Sequence, residues 1–268
     1  MHLKALVENR MPWAFAKICP IVDEFLGRDP MSEVNLIPYL VRKGDTVCDI
    51  GANRGAFIYW FLKVGAKVNA FEPNPAQARI LRLRFPGPLS DGRLRLFEMA
   101  LSDGSGEAVL HIPKGFSPLA TIDGNVVGGL GQEVQEVRVP IARLDDCVGD
   151  QDISFIKLDV EGHEAKVLEG AQGILSSRKP TLIIEAEERH RPGAVATVQS
   201  ILAPFGYQGF FREDGRVKPL SEFDPAIHQA VAELNAEGTH RTKGSRYVVN
   251  FIFAARPEVI ERVKAWKA

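Results

Sequence analysis

The chain has 268 residues, 45% of them hydrophobic and 25% charged, the composition of a globular protein with apolar surface for a sizeable core, which excludes a disordered or fibrous chain. Its 33 basic residues balance 34 acidic ones to a net charge of −1, so no global field exists to hold a polyanion, and nucleic acid is not an expected partner. Cys19, Cys48 and Cys147 lie far apart without C-x-x-C or C-x-x-H spacing and read as buried thiols in a reducing compartment, not as a zinc or redox site. No apolar run approaches the roughly 20 residues that cross a bilayer. Glu8, Asn9 and Arg10 break the start where a secretory signal would be apolar, so the expectation is a cytoplasmic protein without a membrane span.

Residues 1–40 carry scattered apolar positions, among them Leu3, Leu6, Phe15, Ile18, Val22 and Phe25, with prolines at Pro12, Pro20 and Pro30. The pattern predicts short amphipathic helices interrupted at the prolines, a helical cap over a domain spanning residues 41–268. From Thr46 the rhythm changes. Strands are expected at Thr46–Ile50, Lys67–Phe71, Leu94–Phe97, Ile153–Leu158 and Thr181–Ile184, alternating with helices at Arg54–Val64, Pro75–Phe85 and Glu161–Ser176. Such alternation signals an α/β fold, a parallel sheet with helices on both faces. Glu107–Ile112 and Glu136–Ile141 suit a hairpin across a Gly-rich, mobile tip. Phe205–Arg212 and Arg246–Ala255 read as two further strands, separated by a helical stretch, Pro225–Glu237, and a basic loop, for about seven strands in all. No internal repeat or low-complexity tract is present.

The densest signal is VCDIGANRG, residues 47–55, in which an apolar strand runs into Asp49, Gly51 and Gly55 and then into a helix. Strand, glycine turn and helix N-terminus make a cofactor seat, because glycine lets the backbone approach a ligand closely. Twenty-one residues after Gly51 the second strand ends in FEP, placing Glu72 where a carboxylate can accept hydrogen bonds from both ribose hydroxyls. A dinucleotide turn would read G-x-G-x-x-G to admit a pyrophosphate, but here Asn53 stands at the middle glycine. S-adenosylmethionine has no phosphate, and its ammonium and sulfonium suit carboxylates such as Asp49 and Asp159, so the turn fits a methyl donor better than a nicotinamide. A P-loop, a G-x-S-x-G elbow and H-E-x-x-H are all missing.

The strings DTVCDIGANRGAF, FEPNP, ALSDGSGEA, VPIARLDD, FIKLDVEGHEAKVLEGA and PTLIIEAE, in this order between residues 45 and 187, resemble the FkbM-type methyltransferase family over a little more than half of the chain. The resemblance implies a Rossmann-like class I methyltransferase sheet whose last strand is antiparallel. It also implies bound S-adenosyl-L-methionine and methyl transfer to a hydroxyl of a secondary metabolite or sugar. It assigns Asp49, Gly51, Asn53 and Gly55 to the first cofactor motif, Glu72 to the ribose, Met99 and Ala100 to the adenine edge, and Asp159 to the methionine end.

An alcohol acceptor must lose its proton during transfer. Candidate bases cluster at two strand ends: Asp159, Glu161, His163 and Glu164 after one, and Glu185, Glu187, Glu188 and His190 after the next. His163 leads, since its unperturbed pKa lies near working pH, followed by Asp159 and Glu185. Glu188 and Arg189 read as a solvated charge run. A divalent ion between Asp159 and Glu185 is chemically feasible but is not predicted. Two alternatives stay open, an N- or carboxyl-methyltransferase on the same fold and a non-catalytic S-adenosylmethionine-binding subunit, and so does a homodimer. Residues 114–134 and 221–246 are expected to wall or lid the acceptor, the second through an amphipathic helix with Ile227, Val231 and Leu234 on one face.

Overall fold

In the computed structural model, the described residues are 11–29, 32–113, 120–123, 133–235 and 245–267. Five strands, β1 (Thr46–Ile50), β2 (Lys67–Phe71), β3 (Leu94–Phe97), β7 (Ile153–Leu158) and β8 (Thr181–Glu185), form a parallel array with β1 beside β7 at its centre. These runs are apolar on both faces because helices cover both. Cys48, Ile50, Ile156, Leu158 and Ile184 pack on one side, and Val47, Val68, Phe155 and Ile183 on the other.

The array extends through β11 (Asn250–Ala254), β9 (Gln208–Glu213) and β10 (Arg216–Pro219), in the order β10-β9-β11-β8-β7-β1-β2-β3. The last strand, β11, runs antiparallel to both β8 and β9, as the resemblance implied. The sheet has eight strands where about seven were expected. The extra one, β10, folds back on β9 through Asp214-Gly215, both at positive φ (50° and 70°), a two-residue turn whose twist matches a hairpin.

A second sheet orders β4 (Ala100–Leu101), β6 (Val134–Ala142) and β5 (Gly106–Pro113), with β5 and β6 forming the expected hairpin. Of its tip, only residues 120–123 are described, where Thr121 bridges His111; the remaining Gly-rich stretch, with Gly115, Gly124, Gly128, Gly129 and Gly131, lies outside the described residues.

Helix α1 (Pro12–Leu26) is one 15-residue helix and not a series of short ones. Pro12 occupies the first turn, where a backbone N–H has no partner to lose. Pro20 sits on the exposed side, and its cost of about 3 kcal/mol is offset by packing of Phe15 and Cys19 on Ile80 and by a buried ion pair between Asp23 and Arg84. Pro30 lies outside the described residues. Helix α2 (Ala56–Val64) starts and stops at left-handed glycines, Gly55 and Gly65, and α3 (Pro75–Arg84) is capped by Asn74, whose side chain accepts from the Ala76 N–H.

Two helical expectations fail. The run from Glu161 to Ser176 is split into α4 (Glu164–Glu169) and α5 (Gln172–Ser177). Glu161 and Gly162 hold positive φ, and the break at Gly170 lets the backbone press against the Ser102 carbonyl, where a Cβ would collide. Of Pro225–Glu237, the described residues up to 235 give only a single turn, Pro225–His228, and a short 3-10 turn, Val231–Glu233, because His228 and Gln229 turn inward to bond backbone groups. In the basic loop, His240, Arg241 and Lys243 lie outside the described residues. Cys19 and Cys48 are buried and Cys147 is half-buried, all as free thiols.

Candidate active site

The site lies at the carboxyl ends of β1, β2 and β7. Gly51 follows β1 at φ 78°, and a Cβ there would run into the carbonyl oxygen of Asp159, so only glycine fits between these strand ends. The Gly51 and Ala52 N–H groups donate to Phe71 O at 3.0 and 3.1 Å, and Asp159 N donates to Ile50 O at 3.0 Å. Asn53 adopts φ 48°, a region that asparagine tolerates better than most residues. There its N–H donates to Glu72 Oε2 at 2.6 Å, while Asn74 N donates to Oε1 at 2.8 Å. Burial pushes the Glu72 carboxyl up to about 7 against the lowering effect of these two bonds.

Gly51, Asn53, Glu72, Met99, Ala100 and Asp159 line one cleft, so the structure brings together six of the eight residues expected to hold a cofactor. Phe71, stacked on Phe97 at 4.6 Å, adds an aromatic wall. Among the described residues no lysine or arginine lines this cleft, whereas Glu72, Asp159 and Glu161 do. Asp49 faces a second cavity beneath α1, which shares Gly51, Asn53 and Asp159 with the first. Burial raises Asp49 to about 7, opposed by the charge of Lys157. Gly55 lines neither cavity. Its left-handed φ of 78° starts α2, and a Cβ there would press on Leu81 and Phe85, so this glycine serves packing against α3.

Asp49 Oδ2 and Asn53 Oδ1 in this region are buried without a hydrogen-bond partner among the described residues. Unpaired buried oxygens cost about 1–3 kcal/mol each, and a bound donor relieves that cost. These acceptors therefore fit a molecule that brings hydroxyls and an ammonium.

Beside the cleft, Asp159, Glu161 and Glu185 offer carboxylate oxygens within 4.8 Å of one another, close enough to hold a cation. Burial and mutual repulsion hold Glu161 and Glu185 well above the usual carboxylate range. Lys157 reaches Asp159 Oδ2 at 3.4 Å from a fully buried position. Burial alone would discharge that ammonium, but Asp159, Glu185 and Asp49 outweigh it and keep it charged. Glu161 also meets His190, with Nδ1 3.3 Å from Oε2. Sequence reasoning passed over Lys157; a lone lysine inside the apolar run ISFIKL was the available signal.

His163 lines the cleft and stands at the N-cap of α4. Its Nε2 lies 3.0 Å from Ser102 Oγ, whose proton goes to Asp103, so the network places the imidazole proton on Nε2 and leaves Nδ1 free. Burial pushes its pKa down, giving a neutral ring at pH 7. The remaining acids have structural partners. Glu164 accepts from Gly162 N at 3.0 Å, and Glu188 caps the helix Ala194–Leu202 by accepting from Gly193 N. Glu187 is bound by Arg189 and by the Tyr247 hydroxyl at 2.7 Å. Glu188 is thus half-buried and tied into the fold, whereas Arg189 is exposed, as the expected solvated run has it, and pairs with Glu187. Of the segments expected to wall the acceptor, Ala120, Thr121 and Ile122 do line the cleft. Among the described residues no helix is long and apolar enough to cross a membrane.

Residues 49–211 match the family described as Methyltransferase FkbM domain. The 2-O-methyltransferase NoeI of Sinorhizobium fredii (strain NBRC 101917 / NGR234) is 34% identical over 173 residues, covering 57% of this chain and 69% of its own. The 31-O-demethyl-FK506 methyltransferase FkbM of Streptomyces tacrolimicus is 27% identical over 225 residues, covering 73% and 83%. Among solved structures, methyltransferase FkbM from Methylobacillus flagellatus KT has a TM-score of 0.50 at 18% identity, which speaks to the fold alone; the match covers 80% of this chain and 45% of that one. The chain thus spans less than half the length of that protein. The family match begins at Asp49, in the strand that leads into the glycine turn, and takes in Glu72, Asp159 and Glu185, so the residues that build the cleft are the matched ones: the chain belongs to the FkbM methyltransferase family.

Proposed function

We propose that this protein is an S-adenosylmethionine-dependent O-methyltransferase acting in the cytoplasm on a hydroxyl of a small molecule, a sugar or secondary metabolite. The observation that carries this reading is the set of oxygens around the glycine turn: the partnered Glu72 carboxylate in the cleft, Asn53 Oδ1 between the cleft and the cavity beneath α1, and Asp49 Oδ2 in that cavity, the last two without a hydrogen-bond partner among the described residues and suited to hydroxyls and an ammonium. Glu72 takes the ribose hydroxyls, Met99 and Ala100 border the adenine, and Asp49 and Asp159 face the methionine end. The cofactor supplies a methyl group made electrophilic by its sulfonium. Both curated relatives are named as O-methyltransferases, which supports a hydroxyl as the target.

Residues 41–268 form the catalytic domain in this reading, and the described residues before them, 11–29 and 32–40, cap it. Asp159 borders both cavities and is the group we assign to take the hydroxyl proton, with Glu185 beside it sharing the negative field; His163, whose Nδ1 is free, is the second base. Lys157 holds Asp159 in place and supplies the positive charge this carboxylate group needs, so no metal ion is assigned to it.

Incubating the protein with methyl-tritiated S-adenosylmethionine and an acid-soluble cell extract tests the proposal. Label in a small molecule that survives mild alkali and is shown by NMR of the product to sit on oxygen identifies an ether and supports it. Alkali-labile label identifies a carboxyl methyltransferase, label on nitrogen an N-methyltransferase, and cofactor binding without transfer a non-catalytic binding subunit.

A further inference from the structure

The second cavity, beneath α1, differs in chemistry from the cofactor cleft it joins. Its wall is apolar, built from Phe15, Ile18, Val22 and Leu26 of α1 and Phe57 of α2, and its charged floor is Asp49, Lys157 and Asp159. Asp23 and Arg84 also border it but are paired with each other, and Arg54 borders it with its guanidinium 5.5 Å over the Phe15 ring. Ile18, Val22 and Leu26 recur every fourth residue on one side of α1, and all three remain exposed, at 52%, 45% and 41%. The cavity meets the cleft at Gly51, Asn53 and Asp159.

The methionine end of the cofactor carries an ammonium and a carboxylate, which Asp49 and the glycine turn can serve but an aliphatic stripe cannot. The stripe is therefore left for the other reactant. We propose that this cavity takes the apolar body of the methyl acceptor, an amphiphilic alcohol whose hydroxyl reaches Asp159 and Lys157 at the shared end while its hydrocarbon lies along Ile18, Val22 and Leu26. This rests on the methyl-transfer reading above.

The test is calorimetric titration of 1-butanol, 1-hexanol and 1-octanol into protein saturated with S-adenosylhomocysteine. Affinity is expected to rise about three- to four-fold for each added methylene, the gain that burying a methylene in an apolar site gives. Val22→Asp should flatten this dependence while leaving S-adenosylhomocysteine affinity unchanged. Ile21→Asp, on the outward side of α1 and outside the cavity, should leave both unchanged. Alcohol affinities independent of length in the wild type overturn the inference. Loss of S-adenosylhomocysteine binding in Val22→Asp also overturns it by giving the cavity to the cofactor, and so does a wild-type dimer that Val22→Asp dissociates, which makes the stripe a subunit interface. Failure of the wild type to bind S-adenosylhomocysteine at all would instead defeat the methyl-transfer reading on which the inference stands.

Discussion

Replacing Glu72 by glutamine keeps the shape of the side chain and removes only its charge and half of its accepting capacity. In the wild type both carboxylate oxygens are engaged, by Asn53 N at 2.6 Å and Asn74 N at 2.8 Å. An amide can accept at one oxygen only, so its NH2 faces a backbone N–H and one buried donor loses its partner, a cost of about 1–3 kcal/mol in fold stability. The variant also gives up charge-assisted bonds to the ribose, worth about 1.5–3 kcal/mol each, so losing one lowers affinity for S-adenosylhomocysteine by roughly 10- to 150-fold. The pH dependence follows from the Glu72 pKa of about 7 against an ordinary 4.5. Between these values the folded chain holds the proton that the unfolded chain has released, so the group's contribution to stability falls as pH rises from about 4.5 to about 7. Ribose hydroxyls donate to the ionised form, so ligand affinity moves the other way, rising through pH 7 and levelling above it. Asp49, also near 7, adds an effect of the same sign through the ammonium. Calorimetry at pH 6, 7 and 8 should show this rise in the wild type and a shallower one in Glu72→Gln. Equal affinities of the two proteins at pH 8, or a wild-type affinity that falls with pH, would refute the assignment of Glu72 to the ribose.

Gly51→Ala should abolish S-adenosylhomocysteine binding and lower the melting temperature, since it adds left-handed strain of about 1–2 kcal/mol to a collision with the Asp159 carbonyl. Gly55→Ala should lower stability yet keep cofactor affinity, and parallel loss of affinity there would return Gly55 to the binding site. Arg84→Met leaves Asp23 buried without its partner and should cost about 3–5 kcal/mol by thermal or urea unfolding; a change below 1 kcal/mol would show that the pair does not pin α1. With an identified acceptor, Asp159→Asn should slow turnover about 10²–10⁴-fold and His163→Ala less than tenfold, and the reverse order would make His163 the base. Activity should survive EDTA, while a loss that Mg²⁺ restores would assign a cation to Asp159, Glu161 and Glu185.

The parallel strands were legible because each is a short, largely apolar run bounded by turns, and Glu72 was legible because its position is set by distance along the chain from the glycine turn. What escaped depended on contacts across the sequence. The break at Gly170 follows from the Ser102 carbonyl, 68 residues earlier, and the packing role of Gly55 follows from Leu81 and Phe85. Pro20 misled because its helix is held by tertiary contacts that local propensity does not contain. The hairpin at Asp214-Gly215 carried a local signal, an Asp-Gly pair in REDGRV, that was overlooked. Lys157 and the pairing of Glu161 with His190 emerge only when β7 and β8 are neighbours.

The account stands most directly on one comparison, the titration of the wild-type protein with S-adenosylhomocysteine and with NAD⁺ under identical conditions. The acceptor oxygens of Glu72, Asn53 and Asp49, with no lysine or arginine lining the cleft among the described residues, predict saturable 1:1 binding of S-adenosylhomocysteine and none of NAD⁺. Binding of NAD⁺, or failure of S-adenosylhomocysteine to bind at all, would contradict it.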